Sequence, residues 1–529
     1  MTSDATKRYL ERISSFSRPD GQPDMPTIYV DNVASKIATL YEKLRQVIDF
    51  QEDHLLRRNA IERMLKRRLF LALGEEENIA KPLIFELIRG GYFPNDRIPE
   101  TKINEVESIL RKYFFLKENL PSGLGGSEKH KLADWFDALA ASELEEKLSP
   151  PKKEDAILDF MLEELLKRFV LPNQNQLDPQ ERKELIFIAC QKSLLRADLS
   201  LLNWRLMKLK LPEFSDSPNR ELLIELSQKL PLIRKEIETR IQNPLVKKIQ
   251  KKAYTFAPAF LLLQDVVLAN VSEAKNLFEN PESLELRIKF AYDRRFAELK
   301  QNNRRWGIRW VISILLSKML FAFLIEVPYD RAHDNFSYLA LAINMLFPPF
   351  LMFLIVSFGK TPKQENKNLV CWQVMKIVYP KETVELVNVE KPIDRKTFGN
   401  ILLKLLFTLT SAAVFGGVIF LLLQLSFSWL SIFIFLAFFS LIAFSGIRIE
   451  AASKYLRGTE KDGGIFSFIG DIFFLPFRNV GKWLAGQLQR YNLIILFLNL
   501  FFEAPLQIFF EFIESWRDFI KRKKEEIEQ

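Results

Sequence analysis

The sequence has few of the residues on which metal binding and acid–base catalysis most often depend. Its two cysteines, Cys190 and Cys371, lie far apart and form no CxxC motif, so neither a disulfide framework nor a zinc site is predicted. Its three histidines leave little material for histidine-based metal or acid–base chemistry. We therefore predict no metal, no cofactor and no catalytic residue, and a non-enzymatic protein is favoured.

Two further signatures are missing. The glycine-rich stretch 122–127 lacks the preceding strand and the following Gly-Lys-Ser/Thr of a phosphate loop, so it is predicted to be an ordinary loop. The N-terminal residues are polar and lack the apolar core of a cleavable signal peptide. Membrane insertion is therefore expected to be directed by the first internal apolar segment.

Long apolar segments are abundant in the second half of the chain. Four of them are predicted to span a membrane, at 307–325, 337–358, 401–423 and 427–447. Each approaches or exceeds the roughly 20 residues that a helix needs to cross about 30 Å of hydrocarbon. Because backbone amides in lipid must be hydrogen-bonded within their own segment, these spans are expected to be helices.

The loops between the predicted spans differ in charge. Acidic residues dominate the first loop, 326–336, whereas the segment before the first span, the loop 359–400 and the residues after 447 are rich in Lys and Arg. Basic residues mark cytoplasmic loops, so both termini are predicted to be cytoplasmic. The net charge of +9 is attributed to this bias and to anionic lipid, and no specific nucleic acid is predicted as a partner.

The chain is predicted to be mainly α. Residues 1–26 are expected to form a disordered tail, 27–300 a cytoplasmic helical domain with a break near residue 150, 301–447 the membrane module and 448–529 interfacial amphipathic helices. From residue 27 apolar residues alternate at spacings of four and three, which predicts the seam of an amphipathic or coiled-coil helix; they are Val33, Ile37, Leu40, Leu44 and Val47.

Three shorter patterns carry further expectations. A basic run between Arg57 and Arg68 is interpreted as a solvated helix face rather than a surface for RNA or lipid headgroups. The apolar stretch 258–268 is too short to span a membrane and is interpreted as a core helix rather than a surface docked on the membrane module. Strand-like composition at 370–378 and 382–389 predicts a small β-hairpin in the 359–400 loop.

Polar residues within the apolar half are the candidate functional positions. Lys318 lies inside the first span, and Glu326 follows about two turns later, so the two could share a helix face. A buried ion pair or a charged transport site is one interpretation; a lysine that snorkels to the outer surface is favoured. Asn344 and the Pro348-Pro349 pair in the second span are weaker indications.

The region 491–521 combines Leu, Ile and Phe with one polar stripe at helical spacing, which includes Glu503. The favoured interpretation is a helix in the cytoplasmic interface with its stripe facing water. The alternative places this helix in the bundle, with Glu503 lining an aqueous path. Residues 465–477, interrupted by Asp471 and Pro476, are expected to form an in-plane or re-entrant element.

Several stretches together resemble a known family. They are 41–45 with 54–63, Gly91-Tyr92-Phe93-Pro94-Asn95 with Ile98-Pro99, and Leu475-Pro476-Phe477 through Gly481-Lys482-Trp483 to Glu503-Ala504-Pro505. The chain resembles a family of multi-pass membrane proteins from uncultured, small-genome bacteria that has no assigned activity. The resemblance implies a bacterial inner-membrane location and supplies no catalytic residue.

Two functions are consistent with these patterns. The favoured one is a non-enzymatic scaffold or tether whose cytoplasmic helical domain binds a protein partner while the spans hold it in the lipid bilayer. The alternative is a small transporter or channel subunit that acts as a homo-oligomer and uses Lys318, Glu326 or Glu503. Few spans and few intramembrane charges favour the first.

Overall fold

A computed structural model provides the structure of the chain. It describes residues 2–16, 26–30, 55–71, 79–121, 123–172, 177–215, 219–333, 337–357, 364–380, 385–391, 397–454 and 465–490, together with residues 39, 42, 512, 516, 519–520, 523 and 526. These residues contain eighteen α-helices and two strands of two residues each. The predicted mainly-α class is confirmed.

Twelve of the α-helices come before residue 322. They are α1 (Asp4–Phe16), α2 (Leu56–Leu71), α3 (Ala80–Arg89), α4 (Thr101–Glu118), α5 (Gly126–Leu148), α6 (Lys152–Arg168), α7 (Pro179–Leu194), α8 (Leu199–Lys210), α9 (Arg220–Gln242), α10 (Pro244–Ala269), α11 (Ala274–Glu279) and α12 (Pro281–Phe321). Several begin at residues suited to helix N-termini. Asn243 and Asn280 each cap a helix whose first residue is proline, and their side chains accept backbone N–H bonds.

The remaining elements lie in the second half of the chain. A π-helical turn, Ala322–Glu326, follows α12 and is followed by α13 (Val327–Ala332), α14 (Tyr338–Ser357), α15 (Gln364–Val378), α16 (Thr397–Gln424), α17 (Trp429–Lys454) and α18 (Ile465–Arg490). The strands are β1 (Phe169–Val170) and β2 (Val387–Asn388), and they pair in parallel.

One large apolar core contains residues from almost the whole of the first 300 positions. It runs from Ala5 to Tyr292 and also takes in residues between Val370 and Val389; we call the part of the chain that shares it the helical domain. Helix α10 contributes many of its side chains and contacts α6, α7, α12 and α15. Residues on both sides of position 150 belong to this core, so the break expected there separates two helices within one packed unit.

Four helices in the described residues are long and apolar enough to cross a membrane. Three of these segments, Tyr338–Ile355, Lys404–Gln424 and Trp429–Gly446, overlap predicted spans. The fourth is α10 rather than the predicted span 307–325, which lies at the end of α12 and in the π-helical turn. These helices are compatible with a membrane protein.

The apolar surfaces of these four helices are covered to very different extents. Residues 258–268 of α10 lie largely inside the large core, as predicted, so protein rather than lipid covers them. In contrast, only 6% of Lys404–Gln424 in α16 is buried. An exposed apolar surface of that extent is costly in water, which favours a lipid environment for α16.

The N-terminal residues, predicted as a disordered tail, include an ordered helix. Helix α1 buries Tyr9, Leu10 and Ile13 against α6, and the Tyr9 ring stacks on Phe160 with centroids 5.3 Å apart. The apolar spacing within 4–16 provides one buried face, and this burial offsets the polar composition that suggested disorder. The prediction for 1–26 was therefore wrong over these thirteen residues.

The predicted β-hairpin in the 359–400 loop is not found in the residues described there. Residues 370–378 belong to helix α15, and β2 pairs with β1 of the helical domain rather than with a neighbouring strand. Val370, Val374 and Ile377 recur at helical spacing and are buried against α10 and α12. This tertiary burial overrides the preference of β-branched residues for strands.

The basic run on α2 is used inside the protein, which corrects its interpretation as a solvated face. Arg58 is 2% exposed and forms a two-pronged ion pair with Asp198. Arg67 and Arg68 both bind Glu86, whereas Lys66 forms the expected pair four residues away, with Glu62. Charges paired in this way are not available to a nucleic acid.

A second, smaller core forms among α14, α16, α17 and α18. Phe477 of α18 is fully buried and contacts the rings of Phe415 and Phe439. The segment 465–477, expected to be in-plane or re-entrant, is the first half of the continuous helix α18, which packs along α17. The predicted coiled-coil seam (Val33–Val47) and the stripe in 491–521 lie outside the described residues.

Candidate functional site: a polar cluster between apolar helices

The candidate site begins where α12 leaves regular α-helical geometry. Residues Ala322–Glu326 form a π-helical turn, and α13 starts immediately afterwards with Pro328 in its first turn. Proline has no N–H, so Pro328 cannot donate to the carbonyl of Leu324 as a continuing α-helix would require. Single π-helical turns are rare and are often found at functional sites.

Lys318 and Glu326 lie together inside the protein. The side chains are 0% and 1% exposed, and Lys318 Nζ is 3.8 Å from Glu326 Oε2. Lys318 therefore does not snorkel to the surface, and that favoured interpretation was wrong. The reason is tertiary, because α14 and α17 pack against α12 and cover its face. The 3.8 Å separation allows ionic attraction but is too long for a hydrogen bond.

The other carboxylate oxygen of Glu326 accepts hydrogen bonds from two further helices. Asn344 of α14 donates to Glu326 Oε1 through Nδ2. The Ser431 hydroxyl of α17 lies 2.5 Å from the same oxygen. One carboxylate thus connects the end of α12 to both helices.

Asp330 extends the cluster toward the surface. Its Oδ2 atom is 3.2 Å from Ser431 Oγ, and Asp330 itself is half-buried. Ser428 Oγ lies 3.1 Å from Ser431 Oγ and completes a short chain of hydroxyl and carboxyl groups. We refer to Lys318, Glu326, Asp330, Asn344, Ser428 and Ser431 as the polar cluster.

Several polar atoms of the cluster have no hydrogen-bond partner among the described residues. They are Lys318 Nζ, Glu326 Oε2, Asp330 Oδ1 and Asn344 Oδ1. A buried polar group without a partner costs about 1–3 kcal/mol, so the cluster is not arranged for stability alone. Lys318 Nζ also lies 5.1 Å from the centre of the Phe438 ring, which provides weak cation–π attraction.

The sequence identified part of this cluster. It singled out Lys318 and Glu326 and noted Asn344, and the structure brings all three together. It missed the roles of Asp330 and Ser431, although both lie near the same end of their predicted spans and so at similar depth. Glu503 lies outside the described residues, and its proposed place in an aqueous path stays a prediction.

A second buried ion pair lies in the helical domain, and its lysine, unlike Lys318, is fully hydrogen-bonded. Lys112 Nζ donates to Glu143 Oε1 at 2.6 Å, to Glu143 Oε2 at 2.8 Å and to the Phe214 carbonyl at 2.9 Å. Tyr113 also donates to Glu143, at 2.8 Å. Burial lowers the pKa of Lys112 and raises the pKa of Glu143, although their mutual attraction opposes both shifts. The complete hydrogen bonding of the Lys112–Glu143 pair indicates that the pair has a structural role.

Metal binding has no support in the described part of the chain, where no group of three or more His, Cys, Asp or Glu side chains is suitably placed. No family model, curated protein or solved structure matches the chain. The functional argument therefore depends on the geometry of the chain itself.

Proposed function

We propose that this chain is a multi-pass protein of the bacterial inner membrane that acts as a scaffold or tether. Its helical domain lies on the cytoplasmic side and binds a protein partner there. One observation carries the proposal: α15 and β2, which lie between two predicted spans, form part of the same core as residues 5–292.

This arrangement fastens the helical domain to the predicted membrane module at three points. One is α12, a continuous helix of 41 residues and about 60 Å that leads from the large core to the polar cluster. The other two are the ends of the segment 364–391. Three connections limit how far the helical domain can turn relative to the membrane, which supports a scaffold.

The N-terminus supports the proposed placement of the helical domain. The Ser3 backbone N–H donates to the Val378 carbonyl at 2.8 Å, so the start of the chain contacts α15. Both segments therefore lie on one side of any membrane that the spans cross. The lysine-rich loop 359–400 favours the cytoplasmic side.

Topology is tested first with single cysteines in a variant that lacks Cys190 and Cys371. We expect a cysteine at position 390, where Glu390 is exposed, to react only with reagent that enters the cell. We expect a cysteine at exposed position 333 to react with an impermeant reagent added outside. Labelling of both positions from the same side contradicts the proposed topology.

The tether function is tested by membrane fractionation of cells with and without the chain. We expect at least one soluble protein to leave the membrane fraction when the chain is absent and to return with the full chain. The variant Val374→Asp, which places a charge in the large core, should not return this protein to the membrane fraction. The variant Trp372→Asp, at a position 54% exposed on the same helix, should return it. No change in any protein's fraction contradicts the tether function.

The polar cluster favours a second function, a small transporter or channel subunit that acts as an oligomer. Ionisable residues buried among membrane helices often mark ion pathways. Ion flux into proteoliposomes, compared with the Lys318→Ala/Glu326→Ala double variant, tests this function. Equal flux through both proteins contradicts it.

A further inference from the structure

The hydroxyl of Ser431 lies between two carboxyl groups. Its oxygen is 2.5 Å from Glu326 Oε1 and 3.2 Å from Asp330 Oδ2. Ser428, 3.1 Å away, can donate its own hydroxyl proton to Ser431 Oγ. Ser431 thus has one donor neighbour and two carboxyl neighbours.

These contacts require one proton more than the serine can supply. A hydroxyl carries a single proton, whereas an ionised carboxylate only accepts. If Glu326 and Asp330 are both ionised, one of the two Ser431 contacts holds no proton and brings two electronegative oxygens together. One additional proton on either carboxyl group completes both hydrogen bonds.

The charges of the cluster independently indicate that it binds one additional proton. Glu326, Asp330 and Lys318 together carry one excess negative charge when all are ionised. Among the elements packed here, α12 contributes Lys318, the π-helical turn Glu326 and α13 Asp330, while Arg331 of α13 is exposed. Helices α14 and α17 contribute only neutral groups to the cluster: Asn344, Ser428, Ser431 and the ring of Phe438. One bound proton makes the cluster neutral, as burial in a medium of low dielectric constant favours.

Asn344 shows that the cluster as described is incompletely bonded. Its side chain is 0% exposed, its Nδ2 donates to Glu326, and its Oδ1 has no partner. The ammonium of Lys318 is also fully buried without a hydrogen bond. These two groups lie beside the Glu326 carboxyl group, which is itself 1% exposed.

We propose that Glu326, Ser431 and Asp330 form a relay that binds one exchangeable proton between the apolar helices. Half-buried Asp330 is the entrance, and fully buried Glu326 is the inner end. Asp330 takes a proton from water and passes it to Ser431 Oγ. Ser431 releases its own hydroxyl proton to Glu326 Oε1, so Asp330 is again ionised and one proton has moved inward.

This site does not depend on the proposed tether function. With the predicted topology, the entrance at Asp330 opens toward the side opposite the helical domain. Helix α12 connects the cluster directly to the large core. With that topology, the relay binds protons from outside the cell.

Proton binding is tested by pH-difference infrared spectroscopy of the full chain in proteoliposomes with choline as the only other cation. We expect the difference spectrum to contain the C=O band of one protonated carboxyl group of the cluster. Both Glu326→Gln and Asp330→Asn should remove this band, because either substitution removes the excess negative charge. Gel filtration and the amide band establish that each variant is folded.

The role of Ser431 is tested by the rate at which this band shifts in heavy water. We expect Ser431→Ala to slow the shift about 100-fold, a typical effect of losing a positioned proton-transfer group. Ser440→Ala is the matched control, since Ser440 is fully buried on the same helix and its hydroxyl has no partner. Its exchange rate should equal that of the unmodified protein.

Three results would overturn the relay. They are a band that persists in folded Asp330→Asn protein, equal exchange rates in Ser431→Ala and Ser440→Ala, and loss of the band when Na⁺ replaces choline. The last would identify a sodium site instead. If the carboxyl C=O band is present but no protons flow into the proteoliposomes, the relay is supported and only the transporter function is contradicted.

Discussion

Two buried lysine–glutamate pairs show that the same two residue types can be fully hydrogen-bonded in one place and incompletely bonded in another. Lys112 in the helical domain donates three hydrogen bonds, which use all its ammonium protons. Lys318 approaches Glu326 only to 3.8 Å and makes no hydrogen bond. The first pair is complete within the protein, whereas the second leaves Lys318 Nζ and Glu326 Oε2 without hydrogen bonds among the described residues.

Lys112→Met is expected to lower the free energy of unfolding by about 3–5 kcal/mol, because Glu143 would keep a buried charge without its counter-ion. The control is Lys131→Met at an exposed position of α5, which should change stability by less than about 0.5 kcal/mol. Denaturant unfolding of the full chain in detergent measures both. Similar values for the two variants would contradict a structural role for the Lys112–Glu143 pair.

Glu146 is expected to make stability depend on pH in the acid range. Burial alone would raise its pKa, but hydrogen bonds from Lys208 and Trp204 outweigh burial and hold the pKa below the ordinary 4.5. A lowered folded-state pKa gives stability that is fully present above the unfolded-state value and is lost as the pH falls through the folded-state value.

The variant Glu146→Gln should therefore be less stable than the unmodified protein at neutral pH, by about 1–2 kcal/mol. The difference should shrink below about pH 4.5. Urea midpoints measured across this range check the expectation. A difference that stays constant with pH would show that Glu146 acts through shape rather than charge.

Among the helices of the second half of the chain, α17 and α18 approach each other so closely that the residue at their contact must be small. Helix α18, which contains the segment 465–477 that was expected to be in-plane or re-entrant, packs along α17. Gly481 permits this packing, because a Cβ there would overlap the Ser440 carbonyl oxygen. A residue without a side chain is required where two backbones meet at this distance.

Gly481→Ala is expected to destabilise the α17–α18 pair by about 1–3 kcal/mol, as overpacking does elsewhere. Gly486→Ala on the same helix is the matched control, since its Cβ would meet nothing within 4 Å. The control should be neutral or more stable by up to about 1 kcal/mol, because alanine favours helix. Thermal unfolding in detergent distinguishes them, and equal effects would exclude close packing at Gly481.

For the whole molecule, the important feature is that the large core is discontinuous along the chain. Residues 5–13 and 370–389 contribute to it from outside the expected domain 27–300. Each buried Val or Ile in α15 contributes about 1.5–3 kcal/mol. A fragment limited to 27–300 would expose the faces of α6, α10 and α12 that these segments cover.

The fragment 1–300 is therefore expected to be less stable than the same fragment fused through a flexible linker to residues 364–391. Circular dichroism melts and amide exchange on α10 measure the difference. A fusion carrying Val374→Asp is the control and should behave like the shorter fragment. Equal stability of all three proteins would show that α15 only rests on the helical domain.

Composition and local spacing were enough to predict the helical class, three of the apolar segments that can cross a membrane, and that Lys318 and Glu326 could share one helix face. These features depend on composition and on spacing along one helix, which a single chain displays directly. The order in α1, the helix at 370–378, the internal pairing of the α2 arginines and the place of Ser431 beside two carboxyl groups were decided only by the tertiary structure. Each depends on contacts between residues distant in the chain, and local propensity does not specify which distant surface will bury a given face.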